Sequence, residues 1–250
     1  MPETDNSIRL DLALVRRGLA ASRSQARDLI VRGSVTVDNV QVLKPGMMVG
    51  DWTAIGIAAG AAGWVSRGAV KLLAALDKFE FEVDGRTALD IGASTGGFTQ
   101  VLLKRGAARV YAVDVGRGQL HPTIADDPRV VQREATDARS LTAVVVTEPV
   151  RAIVADVSFI SLTKALPAAL ALAAPGCWLI GLVKPQFEAG PAAIGKGGIV
   201  RDAADRARAL RMVRDWLAAQ PGWRIVGDMA SPITGGSGNE EFLVGAVRDA

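Results

Sequence analysis

Apolar positions divide the chain into two stretches with different rhythms. Leu10, Leu12, Leu14 and Val15 cluster closely enough for a short helix that Gly18 ends. Ser22 is a good N-cap for a second helix carrying Ala26, Leu29 and Ile30 on one face, with Gly33 just past its end. Ser34–Val37 then alternates like a strand, Asp38-Asn39 reads as a turn, and Val40–Val42 and Met48–Ile57 supply further strand. Residues 58–63, Ala-Ala-Gly-Ala-Ala-Gly, lack both periods and read as a small-residue linker.

Beyond the linker, short apolar runs alternate with helical patterns. Helices are expected over Arg67–Phe79, Phe98–Arg105, Leu162–Ala174 and Asp202–Ala219. Strands are expected at Ala88–Ile91, Val110–Val113, Val130–Arg133, Ala152–Ala155, Leu179–Val183, Arg224–Met229 and Phe242–Val247. Strands alternating with helices predict an α/β fold whose mostly parallel sheet is covered on both faces. The division expected is a small α/β domain over residues 1–58, a linker over 59–65 and a larger α/β domain over 66–250.

Composition supports two folded units: hydrophobic residues are 49% and charged residues 22%, ordinary for a chain with a real core. The net charge of +3 is too mild to identify a partner, but its distribution is uneven. Between Arg9 and Lys44, seven basic residues (Arg9, Arg16, Arg17, Arg23, Arg27, Arg32, Lys44) face three acidic ones (Asp11, Asp28, Asp38). That local excess of +4 exceeds the charge of the whole chain and suits a phosphate backbone. Cys177 and His121 are single residues of their kinds, which excludes a disulfide framework, a Cys/His zinc site and a Ser/His/Asp triad. The first seven residues are polar, and no apolar run reaches the ~18 residues of a membrane helix. A cytoplasmic location without membrane association is therefore expected.

The chemistry concentrates at the ends of the expected strands. Asp90-Ile91-Gly92-Ala93-Ser94-Thr95-Gly96-Gly97-Phe98 follows one strand and opens a helix. Its glycines permit a tight turn and close ligand approach, and the helix start offers N–H groups to an anion. Dinucleotide enzymes use similar loops, so this one alone does not select a cofactor. Asp114 ends the next strand about 20 residues on, where a carboxylate can accept both hydroxyls of an adenosine ribose. Asp137 follows the third strand, where it could accept an adenine amino group. The fourth strand ends in Asp156-Val157-Ser158-Phe159, without the Asn/Asp-Pro-Pro-aromatic motif usual for amino-group methylation. The fifth ends in Lys184-Pro185-Gln186-Phe187-Glu188, an unusual place for lysine because burial disfavours its charge.

Together these segments resemble the TlyA family, whose catalytic domain is FtsJ-like. The matching pieces are Arg9-Leu10-Asp11, Ser22–Ala26, Val65–Leu72, Asp90–Phe98, Val113–Gly116, Asp156–Ser161, Lys184–Phe187 and Gly238-Asn239-Glu240-Glu241-Phe242, in order along nearly the whole chain. The resemblance implies an N-terminal RNA-binding domain of the ribosomal-protein S-four type. It also implies a Rossmann-like methyltransferase domain with a seven-stranded sheet whose last strand is antiparallel. The implied cofactor is S-adenosylmethionine, held by Asp90, Gly92, Ser94, Gly96, Gly97, Phe98, Asp114, Asp137 and Asp156. The implied reaction is 2′-O-ribose methylation of ribosomal RNA, on a cytidine, with ribosomal subunits as partners and no metal, by a monomer.

The family's Lys-Asp-Lys-Glu tetrad falls on Lys71, Asp156, Lys184 and Glu241; the Gly-Asn-x-Glu-Phe pattern selects Glu241 over Glu240. A ribose hydroxyl must lose its proton as it attacks a sulfonium methyl, and a lysine serves as base when desolvation or a second cation lowers its pKa. That role is assigned to Lys184, with Lys71 as the second cation and Asp156 and Glu241 orienting both. RNA contacts are assigned to Arg9, Arg16, Arg17, Arg23, Arg27, Lys44 and Arg67. Three departures stand out: Ala62 replaces an arginine expected before Trp64-Val65, Gln100 sits where related sequences often have Asp, and His121–Ala125 lacks basic residues that relatives often show there. The alternatives are a haemolysin, a name attached to this family, a non-catalytic RNA-binding protein, and a pseudouridine synthase, which the Asp90–Gly97 loop and paired lysines fit poorly.

Overall fold

A computed structural model describes residues 7–20, 23–31, 33–57, 63–235 and 238–249. Ser22, Arg32 and the linker residues Ala58–Ala62 lie outside the described residues. The chain forms two compact units, Met1–Arg67 and Gly68–Ala250.

In the first unit, β1 (Ile8–Arg9) leads into α1 (Leu10–Arg16) and α2 (Arg23–Val31), followed by β2 (Val35–Val37), β3 (Val40–Gln41), β4 (Met48–Val49) and β5 (Ile55–Ile57). Strand β1, which the apolar pattern does not reveal, pairs antiparallel with β4. Strands β3, β2 and β5 form a second antiparallel sheet. Asp38 and Asn39 both take positive φ, the backbone a tight two-residue hairpin needs, and these residue types tolerate it. The expected strand over Met48–Ile57 is two strands, because residues 50–53 turn. Arg17 holds that turn by donating to the carbonyls of Gly50, Asp51 and Thr53. Leu10, Leu14, Ala26, Ile30 and Val35 form the unit's core.

In the second unit, α3 (Gly68–Phe79) precedes β6 (Thr87–Ile91), α4 (Gly97–Lys104), β7 (Arg109–Val113), α5 (Pro122–Ala125), β8 (Val130–Arg133) and β9 (Val150–Ala155). Then come α6 (Leu162–Ala165), α7 (Pro167–Ala171), β10 (Ala173–Val183), α8 (Pro185–Glu188), α9 (Ala203–Ala218), β11 (Trp223–Ala230) and β12 (Phe242–Arg248). The sheet has seven strands in the order β11-β12-β10-β9-β6-β7-β8. Strand β12 runs antiparallel to both of its neighbours, and β10, β9, β6, β7 and β8 pair in parallel. This is the Rossmann-like architecture of methyltransferases. The single helix expected over Leu162–Ala174 is two short ones, broken where Pro167 starts a new helix, and β10 already begins at Ala173. Asp202 caps α9 by accepting the Ala204 N–H at 2.7 Å.

Helix α3 packs its apolar stripe on the antiparallel end of the sheet. Gly245 makes room there: a Cβ at that position would fall 2.8 Å from the Phe79 ring. The same helix buries one charged group, Lys71.

Candidate active site

Parallel strands present their carboxyl ends at one edge of a sheet, and an antiparallel strand presents its amino end there. Four of the expected positions therefore gather on that edge: Gly92 after β6, Asp114 after β7, Asp156 after β9 and Lys184 after β10. Glu241, just before β12, joins them, because Val183 pairs with Phe242 and the register sets Lys184 beside Glu241.

The four tetrad residues form two ion pairs. Lys71 Nζ, from the first turns of α3, meets Glu241 Oε2 at 2.5 Å, with both side chains under 10% exposed. Lys184 Nζ meets Asp156 Oδ1 at 2.6 Å and donates to Ser158 Oγ at 3.0 Å. The contact to Asp156 is a charge pair without hydrogen-bond alignment, leaving Oδ1 free of a hydrogen-bond partner. Glu240, next to Glu241, instead points outward to Arg206 at 3.1 Å. Asn239 is buried and ties the neighbouring loop, donating to the Gly198 carbonyl and accepting the Val200 N–H.

A cavity of about 870 Å³ opens along the edge. Gly92, Ser94, Asp114, Asp137 and Asp156 belong to its wall; Asp90, Gly96, Gly97 and Phe98 do not. Gly92 sits at φ +82°, and a Cβ there would fall 2.4 Å from the Asp156 carbonyl, so the loop closes on the fourth strand only with glycine. Asp114 is oriented by the N–H groups of Ser94 and Gly116 at 2.9 and 2.7 Å. Asp137 accepts the Arg139 backbone N–H and guanidinium, and this pairing holds its carboxyl down at about 2.

Asp90 is fully buried below the cavity wall. Thr99 Oγ1 donates to its Oδ2 at 2.6 Å, while Oδ1 has no partner. Desolvation pushes its carboxyl up to about 7, opposed by the Thr99 hydrogen bond and assisted by the negative charge of Asp156. Cys177 is buried, and desolvation raises its thiol to about 12, which removes it from nucleophilic chemistry.

Four wall or near-wall residues escape sequence reasoning. Phe159 is 91% exposed at φ +66°, against Phe187 at 5.3 Å between ring centroids. Buried Glu188 braces the segment beside it, accepting from Ser161 Oγ and the Leu162 N–H. Glu134 and Gln119 organise the turn after Asp114. The available signals were the phenylalanine that ends the Asp156–Phe159 motif and polar residues spaced around the glycines at 116 and 118.

Of the residues assigned to RNA, Arg9 and Arg23 both donate to the buried carboxylate of Asp11 at 3.1 Å, and Arg17 holds the 50–53 turn. Arg16, Arg27 and Lys44 are exposed. Among the described residues, no group of His, Cys, Asp and Glu is arranged to hold a metal, and no helix is long and apolar enough to cross a membrane.

The FtsJ-like methyltransferase family model matches residues 64–248, and the S4 domain model matches residues 8–51. The chain is 49% identical over 237 residues to the 16S/23S rRNA (cytidine-2′-O)-methyltransferase TlyA of Mycobacterium tuberculosis, covering 94% of this chain and 88% of that one. It is 37% identical over 187 residues to the 23S rRNA (cytidine-2′-O)-methyltransferase TlyA of Campylobacter jejuni, covering 74% and 72%. A Streptococcus thermophilus structure solved under a hemolysin name superposes with a TM-score of 0.76 at 38% identity, covering 98% of this chain and 90% of that one.

Proposed function

Because the chain belongs to the TlyA family of FtsJ-like methyltransferases, we propose that it transfers a methyl group from S-adenosylmethionine to a cytidine 2′-hydroxyl of ribosomal RNA. The observation that carries this reading is the pairing of Lys184 with Asp156 at the edge of an adenosyl-sized cavity, beside the sealed Lys71–Glu241 pair.

The wall fits the cofactor. Asp114 offers acceptors to ribose hydroxyls, Asp137 on the same wall would take an adenine amino group, and Gly92 lets the first loop close on the Asp156 backbone that forms the wall beside them. When bound, S-adenosylmethionine supplies an electrophilic methyl group. Lys184, once its ammonium has released a proton to solvent, accepts the hydroxyl proton as the methyl transfers, and Asp156 balances the ammonium so re-formed and fixes its position. Lys71, anchored by Glu241, keeps a positive charge next to that pair. Most of the acceleration comes from holding the oxygen in line with the methyl. The exposed ring of Phe159 offers a stacking face to a base turned out of the RNA.

The proposal extends to a monomer acting in the cytoplasm on ribosomal subunits. The steps use side chains alone. Incubation with labelled S-adenosylmethionine and unmodified small and large subunits, followed by nuclease digestion, tests the reaction. Labelled 2′-O-methylcytidine is expected; label in a base, or none, contradicts it. The hemolysin name of the structural relative is tested by red-cell lysis, which should be absent for wild type and Lys184→Ala alike.

A further inference from the structure

Just past Asp114, the turn of Gly116, Arg117 and Gly118 delivers Gln119 to the cavity wall. The Gln119 carboxamide lies directly against the backbone of Gly116, where an added Cβ would fall 1.4 Å from Nε2. Its Oε1 accepts the Ser94 hydroxyl at 3.3 Å, and its Nε2 faces Asp114 Oδ1 at 3.4 Å. The turn is clamped from behind: Glu134 accepts the backbone N–H groups of Gly118, Gln119 and Leu120 at 2.6, 2.7 and 3.2 Å. Ala135 N–H donates to the Gly116 carbonyl at 2.8 Å and closes it further. On the facing loop, Ser94 holds φ +48°, a conformation that costs a non-glycine residue energy and so indicates a fixed loop.

Each Asp114 oxygen already receives one backbone N–H, which orients the carboxylate and leaves lone pairs toward the cavity. A hydroxyl donating to Asp114 there retains its own lone pairs, and a carboxamide N–H is the complementary donor. We infer that Gln119 is a second ribose-reading residue of the adenosyl site, contacting a ribose hydroxyl beside Asp114, with Glu134 as the positioning residue that holds its turn. This rests on the cofactor reading above.

Calorimetric binding of S-adenosylhomocysteine and of its 2′-deoxy and 3′-deoxy analogues tests it without turnover. Gln119→Ala should weaken S-adenosylhomocysteine about fivefold to tenfold, the worth of one hydrogen bond. The affinity penalty for deleting one of the two hydroxyls should shrink by the same factor. Gly116→Ala displaces the carboxamide and also sets a Cβ 3.1 Å from Asp114 Oδ1, so it should lose at least as much affinity as Gln119→Ala. Glu134→Ala should reduce the same penalty in the wild-type background only. Deoxy penalties unchanged in Gln119→Ala and Gly116→Ala would overturn the role of Gln119, even if overall affinity fell. Wild type that fails to bind S-adenosylhomocysteine would overturn the cofactor reading as well, so the two failures are separable.

Discussion

The two lysine–carboxylate pairs use the same chemical groups in different surroundings. Lys71 and Glu241 are sealed on both sides, 8% and 3% exposed, and neither belongs to the cavity wall. Lys184 and Asp156 are 12% and 23% exposed, and Asp156 is part of that wall. A buried pair whose partner is removed leaves an uncompensated charge, so the sealed pair is bound to the fold. The open pair can exchange a proton with something entering the cavity. The difference teaches that burial, not residue type, separates the two pairs: one is locked into the fold and the other faces the cavity.

The largest expected effect breaks the open pair. Lys184→Ala should lower single-turnover methyl transfer by about 10²–10⁴-fold, the usual worth of general acid–base catalysis. Binding of S-adenosylhomocysteine should stay within about twofold by calorimetry, because Lys184 does not line the adenosyl wall. The sealed pair should instead report in stability: Lys71→Ala or Glu241→Ala should cost about 3–5 kcal/mol in urea unfolding. Lys184→Ala should cost clearly less in the same assay. Equal losses would erase the distinction between the pairs.

Asp114→Ala separates binding from chemistry, with an expected rise of about 10–100-fold in the cofactor dissociation constant and little change in unfolding midpoint. Asp90 gives a pH signature. Its carboxyl is raised to about 7 in the fold, so the folded state holds a proton that the unfolded state releases near 4. Stability from this group is present at low pH and is lost as pH rises toward 7, at up to about 1.4 kcal/mol per pH unit. Asp90→Asn should flatten the apo protein's stability between pH 5 and 7; an unchanged slope would contradict the raised value. The smallest effect concerns RNA: Arg16→Ala with Arg27→Ala should weaken ribosomal RNA binding and reduce the salt slope by about two. These two exposed arginines test phosphate contact more cleanly than Arg17 or Arg23, which also brace the fold.

Most of the α/β alternation was legible because β7, β9, β10 and β12 each contain an apolar run bounded by a turn residue or charge. What failed did so locally. Pro167 divided a helix whose apolar pattern ran unbroken, and the two-residue strand β1 was too short to carry a period. The sequence order of strand ends predicted which polar residues would share an edge, since parallel strands leave no alternative. It could not show that the tetrad separates into a sealed and an open pair, because that depends on how α3 seats Lys71 against the start of β12. Nor could it show that Arg9 and Arg23 converge on Asp11, residues adjacent in space but 12 apart for Arg23. Phe159 was legible as an identity and hidden as a feature, because its exposure follows from a left-handed backbone that no residue pattern announces.

The most direct test is single-turnover transfer of labelled methyl to unmodified ribosomal subunits, with nucleoside analysis, for wild type, Lys184→Ala and Lys71→Ala at a temperature where all three are folded. The division of labour predicts labelled 2′-O-methylcytidine from wild type, near-complete loss with Lys184→Ala at intact cofactor affinity, and a smaller loss with Lys71→Ala. Full turnover by Lys184→Ala, or label in any product other than a 2′-O-methylated ribose, would contradict it.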